Sequence, residues 1–285
     1  MNARRIGITG ATGHIGGGVS RQLEEEGVAH RLLVRSAFKV SDRVRGAGRL
    51  LGAAPCDFAR VDEAVEALRE LDTVLFVSAH ETEDRAQIQE GFVEALQRAG
   101  VRHVVYLSFM AASPEAAFTY ARTHWKTEQA IRDSGMDFTF LRDCFYLDVL
   151  AQFTGESNTL QGPAGDGRVA GVARADVVDA AVPVLLDPDR HRGETYTLTG
   201  PEALSLHDVA RILTETTGRT HTYEPETIEQ ARASRASYGA PEWMLEGWIS
   251  TYTAIASGEL AEVTDDVARL TGHPPRSLAD IARSL

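Results

Sequence analysis

The stretch Arg5-Ile6-Gly7-Ile8-Thr9-Gly10-Ala11-Thr12-Gly13-His14-Ile15-Gly16 decides the fold. Arg5 to Thr9 is a short apolar run, the pattern of a strand buried on both faces. From Ile15 to Glu26 the apolar spacing turns helical, and Gly27 stops it. Between the two stands a glycine triplet. A strand, a glycine loop and a helix in that order form the context in which such a triplet binds a dinucleotide. Gly10 permits the tight turn, Gly13 lets backbone approach a pyrophosphate, and Gly16 lets the helix pack on the strand. The amides of Ala11, Thr12, His14 and Ile15 complete the loop and the helix start, where phosphates are favoured. The spacing is G-x-x-G-x-x-G rather than G-x-G-x-x-G. Its position at the first strand–helix junction therefore carries the argument.

Outward from this loop, strands and helices alternate. His30 to Arg35 reads as a second strand, and a weak third one ends at Cys56-Asp57-Phe58. Asp72 to Ala79, His103 to Phe109 and Asp137 to Phe145 follow as strands. Val61 to Leu71, Asp84 to Ala99 and Phe118 to Ser134 read as the helices between them. Strands separated by helices of this length imply a parallel sheet with right-handed crossovers. The expected class is α/β: a Rossmann-type doubly wound parallel sheet with a smaller α/β C-terminal lobe. The rhythm changes near Tyr146. Residues 1–150 are expected to bind the dinucleotide. Residues 151–285 are expected to form a smaller substrate-binding lobe, with some elements returning to the sheet. There Gly162 to Gly171 reads as a loop or hairpin, Glu194 to Leu198 as a strand, and Arg174 to Leu186, Ser205 to Thr217, Pro241 to Ser257 and Leu278 to Leu285 as helices.

The end of the second strand bears on the cofactor. An acid there would take the 2′-hydroxyl of NAD. Here the strand ends in Val34-Arg35-Ser36, with Lys39 beyond. A cation suits a 2′-phosphate, and arginine binds it with a bidentate fork. NADP is the expected cofactor, with NADPH preferred over NADH; the plainer reading of Arg35 is a solvated strand end. Asp57 and Phe58 could flank the adenine, or be an ordinary loop. Val77, Ser78 and Ala79 end the fourth strand at the carboxyl edge, where open parallel sheets hold ligands.

Composition narrows the classes. The 285 residues are 43% hydrophobic and 25% charged, ordinary for a globular chain. A net charge of −12 disfavours nucleic acid as a partner, and Arg43, Arg45 and Arg49 are too sparse to make a basic patch. The two cysteines, Cys56 and Cys144, offer no disulfide framework and no metal-ligand spacing, so no metal is expected. Met1 to Arg5 runs straight into the first strand without a signal-peptide stretch, and no segment approaches transmembrane length. A cytoplasmic protein without a membrane partner is the expectation.

With these residues in view, the chain resembles the NmrA-like atypical short-chain dehydrogenase/reductases, and within them the type 2 NAD(P)H:quinone oxidoreductases. The segments that carry the resemblance are TGATGHIG at 9–16, VR at 34–35, GVRHVVYLS at 100–108, FLRDCFY at 140–146, GPAGDGRVAGVARADV at 162–177, YTLTG at 196–200 and GHPPRSLADIARSL at 272–285. The resemblance implies that NADPH lies along Gly10 to Ile15, Arg35 and Val77 to Ala79. It also implies that Cys144, Phe145 and Tyr146 line the nicotinamide half. Where the quinone reductases tend to carry Asn-Gly, this chain has Asp143-Cys144, which bears on the substrate more than on the cofactor.

The larger superfamily uses a Tyr-x-x-x-Lys pair. Lys126 in THWKTEQAI is the candidate lysine, as a catalytic residue and a contact to the nicotinamide ribose, although a solvent-facing lysine is the plain alternative. The tyrosine position is Arg122, and arginine cannot act as a general acid near neutral pH. Quinone reduction needs no tuned acid, because hydride addition gives an aromatic hydroquinone anion that takes a proton from water. Tyr120, His124 and Tyr146 stay as alternative donors. Trp243, Trp248 and Tyr252 share a helix spacing and could roof a flat ligand, form core or make a homodimer contact. Three functions stay open: an NADPH-dependent reductase of a quinone or similar activated aromatic acceptor, a non-catalytic NADP(H)-sensing regulator, and a tailoring oxidoreductase or oxygenase on a larger quinoid metabolite.

Overall fold

The computed structural model describes residues 4–36, 50–150, 152–154 and 157–283. Lys39, Arg43, Arg45 and Arg49 lie outside the described residues. The strands are β1 Ile6–Ile8, β2 His30–Val34, β3 Leu50–Pro55, β4 Thr73–Val77, β5 His103–Phe109, β6 Asp137–Asp143, β7 Thr159–Gly162, β8 Arg168–Val169, β9 Thr195–Leu198, β10 Leu204–Ser205 and β11 Thr222–Pro225. The helices are α1 His14–Glu25, α2 Val61–Leu68, α3 Arg85–Arg98, α4 Thr119–Asp133, α5 Leu147–Leu150, α6 Arg174–Leu186, α7 Leu206–Thr217, α8 Ile228–Arg235, α9 Glu242–Ser257, α10 Asp266–Thr271 and α11 Leu278–Ala282. Among the described residues no helix is long and apolar enough to cross a membrane.

Seven strands form one sheet in the order β3-β2-β1-β4-β5-β6-β9. β1 pairs in parallel with β2, Ile6 opposite His30, and with β4, Ile8 opposite Leu75. The sheet is of the Rossmann type expected from the alternating pattern. Connections run one way from β1 through β2 to β3 and the other way from β4 onward, so the order reverses between β1 and β4, where ligands of such sheets bind. Apolar runs without alternation make these strands because both faces are covered: Ile8, Val74, Leu75 and Phe76 are fully buried. Below the sheet, Phe58, Phe76, Phe92, Tyr106 and Phe140 join one aromatic core, with Phe58 stacked on Phe92 at 4.1 Å between centroids.

The chain divides into two compact units, each assembled from three segments: Met1–Ser108, Thr123–Arg142 and Val177–Tyr196, and Phe109–Arg122, Asp143–Asp176 and Thr197–Leu285. In the second unit the glycine-rich stretch is not a hairpin. β7 ends at its first residue and β8 lies within it, but the two do not pair with each other: β7 runs parallel to β11 and β8 antiparallel to β10. At Gly162 a Cβ would stand 2.2 Å from the Tyr252 ring, so only glycine lets α9 lie this close to the end of β7. Tyr223 locks the arrangement, its hydroxyl donating to Gly162 O at 2.8 Å and accepting from Ala164 N at 3.1 Å. Ser205 caps α7, accepting from the Asp208 amide, as its place before an apolar-periodic run implies.

Candidate functional site: a dinucleotide cradle and an aromatic cluster

In the first unit the site is built from the end of β1. Thr9 is fully buried, and its hydroxyl donates to Leu75 O at 3.0 Å while accepting from the Val77 amide at 2.8 Å. This clamps the ends of β1 and β4 together where the strand order reverses. Gly10 then takes φ +60°, a conformation that favours glycine, and a Cβ on it would stand 3.1 Å from Val77 Cβ. The Gly13 amide closes the turn onto Gly10 O at 2.8 Å. Gly16 is the tightest position: a Cβ there would stand 2.4 Å from Thr9 O and 2.6 Å from Gly10 C, both backbone. Ala11 and Ile15 are buried and anchor the loop, while Thr12, Gly13 and His14 are exposed.

The start of α1 has no side-chain cap and no acid in its first turn. Its free amides and the positive end of its dipole thus face outward from an exposed glycine loop. This is an arrangement that fits a pyrophosphate. Arg35 and Ser36 follow β2 at the same carboxyl edge, one strand over, and both are exposed. The Cys56 amide donates to Val34 O at 2.9 Å, which carries Asp57 alongside that edge. Asp57 spends one carboxylate oxygen on the Ala59 amide at 3.1 Å. Phe58 commits its ring to the core, so Asp57 is the member of that pair left toward the edge.

Val77, Ser78 and Ala79 are half-buried beside the loop. A buried polar network that sequence reasoning missed fixes their far end. Gln89 accepts from the Ala79 amide at 2.9 Å, and Arg85 donates to Ala79 O at 2.9 Å. Arg85 continues to Thr123 Oγ1 at 2.9 Å and to His124 Nε2 at 3.0 Å. Arginine has only donors, so His124 Nε2 accepts and Nδ1 carries the proton toward Tyr106 OH at 2.9 Å. Burial, with Arg85 and Arg142 nearby, holds the His124 imidazole well below its ordinary pKa and therefore neutral. One turn on, the buried Glu128 accepts from Ser108 at 2.6 Å and from Arg142 at 2.8 and 2.7 Å. The network holds the inward face of α4. Arg122 and Lys126 stand four residues apart on its exposed face. A spacing signal existed: Arg85 and Gln89, then His124 and Glu128, put polar residues at i and i+4 where the buried helix face requires apolar ones.

The second unit holds the other predicted residues. Phe145 packs with Phe109 and Phe118, at 5.1 and 5.0 Å between centroids. Cys144 is buried, and desolvation with Asp143 beside it pushes its thiol up to about 12. It stays a neutral packing residue. Tyr146 donates its hydroxyl to the buried Asp143 carboxylate. Burial and that carboxylate raise the phenol well above its usual pKa. Tyr120 is buried against α9, where a Cβ on Gly247 would stand 2.5 Å from its hydroxyl. Of the three alternative donors, His124 is committed to the Arg85–Tyr106 network, Tyr120 to packing and Tyr146 to Asp143. On α9, Tyr252 packs on Gly162 and Trp248 meets Tyr238 edge-on at 6.0 Å.

Comparison with known proteins places the chain in a family. The model of the NmrA-like family matches residues 2–237. The NAD(P)H azoreductase of Xenophilus azovorans is 31% identical over 281 residues, 97% of this chain and 96% of that protein. The (4-alkanoyl-5-oxo-2,5-dihydrofuran-3-yl)methyl phosphate reductase of Streptomyces griseus subsp. griseus is 34% identical over 279 residues, 96% of this chain and 95% of that protein. The NADPH-dependent quinone oxidoreductase of Escherichia coli, solved with NADPH, superposes with a TM-score of 0.89 at 28% identity, covering 98% of this chain and 99% of that one. The resemblance drawn from the sequence is borne out: the chain belongs to the NmrA-like family.

Proposed function

We propose that this protein is an NADPH-dependent oxidoreductase that passes hydride to a quinone or a similarly activated aromatic acceptor. The observation that carries the reading is the uncapped start of α1, open behind an exposed glycine loop at the point where the strand order reverses. NADPH, when bound, supplies the hydride. The free amides at the start of α1, behind the Gly10 to Gly16 loop, take the pyrophosphate, Arg35 takes the 2′-phosphate, and Val77 to Ala79 give the cofactor close approach. Asp57 lies toward the adenine, and Lys126 is the candidate for the nicotinamide ribose. The relatives support the class: one is named for NAD(P)H and azo reduction, and the solved neighbour is an NADPH-dependent quinone reductase.

The acceptor follows from the acid chemistry. Arg122 stands where a Tyr-x-x-x-Lys pair would place its acid, and a guanidinium holds its proton at any working pH. A simple alkoxide would need a donor in place, whereas a hydroquinone anion takes its proton from water, so positioning suffices. The test is steady-state NADPH consumption with a panel of neutral benzoquinones and naphthoquinones, read at the nicotinamide absorbance. Saturable turnover is expected. Binding of NADPH with no turnover across the panel would contradict the reading and favour a dinucleotide sensor.

A further inference from the structure

Arg174 opens α6 in the second unit, and its guanidinium carbon lies 5.2 Å from the centroid of the Tyr146 ring. Among the described residues that guanidinium has no hydrogen bond and no ion pair, although the side chain is half-buried. The carboxylates close by in sequence are already engaged. Asp148 accepts from the Arg174 amide at 3.0 Å, Asp143 accepts from Tyr146, and Asp176 is held by Arg276. The plate beneath the guanidinium is fixed as well. Tyr146 is bonded to Asp143 on one side, and Phe145 and Leu147 exchange hydrogen bonds with Val172 at 3.0 Å each. A cation on the first residue of a helix also sits at the wrong end of the dipole. The fold thus keeps a positioned arginine, with its donors uncommitted, where helix electrostatics disfavour it.

An anion resolves both features. A guanidinium stacked on an aromatic face with free N–H groups binds carboxylate, sulfonate or phosphate oxygens through a bidentate fork. We propose that Arg174, seated on Tyr146, recognises an anionic oxygen group carried by the acceptor, so that anionic aromatic acceptors bind in preference to their neutral counterparts. This inference rests on the reductase reading and names the substrate class of its acceptor.

The test compares two unreactive ligands of one shape, anthraquinone-2-carboxylate and anthraquinone-2-carboxamide, titrated by calorimetry into full-length protein saturated with NADP+. The carboxylate is expected to bind about tenfold more tightly, and Arg174→Gln to cut that preference to within about twofold by weakening the carboxylate alone. Arg174→Lys, which keeps the charge, should retain part of it. Salt gives a second readout on the unaltered protein. The net charge of −12 repels an anion, so screening by itself would tighten carboxylate binding; a local cation makes added salt weaken it. Equal affinities, no binding of either ligand, a preference that survives Arg174→Gln, or tightening with salt would each overturn the proposal. Turnover of neutral 1,4-naphthoquinone, which has no anionic group, tests the reductase reading separately.

Discussion

Arg276 holds Asp176 twice, donating its backbone amide to Oδ2 at 2.7 Å and its guanidinium to Oδ1. These residues come from two distant segments, GVARADV at 171–177 and GHPPRSLAD at 272–280. The pair ties the C-terminal segment to the start of α6. Asp176 is fully buried, and desolvation raises its carboxyl above the ordinary value despite Arg276. Removing the guanidinium leaves the buried carboxylate with the backbone amide of residue 276 but without its paired cation. Arg276→Ala should cost about 2 kcal/mol, below the range for fully buried pairs because Arg276 is half-exposed. The sign with pH is definite. A raised carboxyl pKa favours the native state when protonated, so the penalty should shrink as pH falls toward the acid range and grow above it. Denaturant melts at acid and neutral pH check this, and an equal loss at both would contradict it.

Gly16 makes the cradle's sharpest mutational test. Gly16→Ala places a Cβ 2.4 Å from a backbone oxygen, so the loop must move. A loss of about 2 kcal/mol in stability is expected from such overpacking. NADPH affinity should fall at least about tenfold, since the free amides lose their alignment. Gly91→Ala in α3 is the control. Its Cβ meets only Val61 Cγ2, at 3.3 Å, and nothing in the cradle. The helix interior favours alanine by up to about 1 kcal/mol, so stability should hold or rise with NADPH affinity unchanged.

A buried imidazole sets an acid limit. His103 Nε2 lies 2.9 Å from Thr139 Oγ1, whose own proton goes to His191 O at 2.7 Å. Nε2 therefore donates, and Nδ1 is the bare nitrogen, buried with no partner among the described residues. Burial lowers the His103 pKa from 6.5 to about 4. The stability this neutral histidine allows is fully present above 6.5. It is lost as pH falls toward 4, by up to about 1.4 kcal/mol per pH unit. His103→Gln should flatten the stability–pH curve across that window, and an unchanged slope would show that His103 is not the group titrating.

The reach of the sequence follows from these same residues. The strand–loop–helix at Gly10 to Gly16 and the Rossmann order were legible because strands buried on both faces write themselves as unbroken apolar runs. The pairing of β7 and β8 was not, because strands of four and two residues carry too little pattern to choose partners. Phe58 follows a strand in a loop and reads as an adenine flank or an ordinary loop residue, yet its ring stacks on Phe92. The Arg85–His124–Tyr106 network was hidden because polar residues on a helix are first taken as its wet face, and only the packing of α3 and α4 turns them inward. Arg174 was visible as a residue at a helix start, but its uncommitted guanidinium appears only in three dimensions.

The central claim is that the glycine loop and Arg35 together take a phosphorylated dinucleotide, and paired titrations with NADPH and NADH test it most directly. The unaltered protein should bind NADPH the more tightly, and Arg35→Glu should cost about 2 kcal/mol, roughly thirtyfold, against NADPH alone, reversing the order. Unchanged NADPH affinity in Arg35→Glu, or equal binding of both dinucleotides by the unaltered protein, would contradict the account.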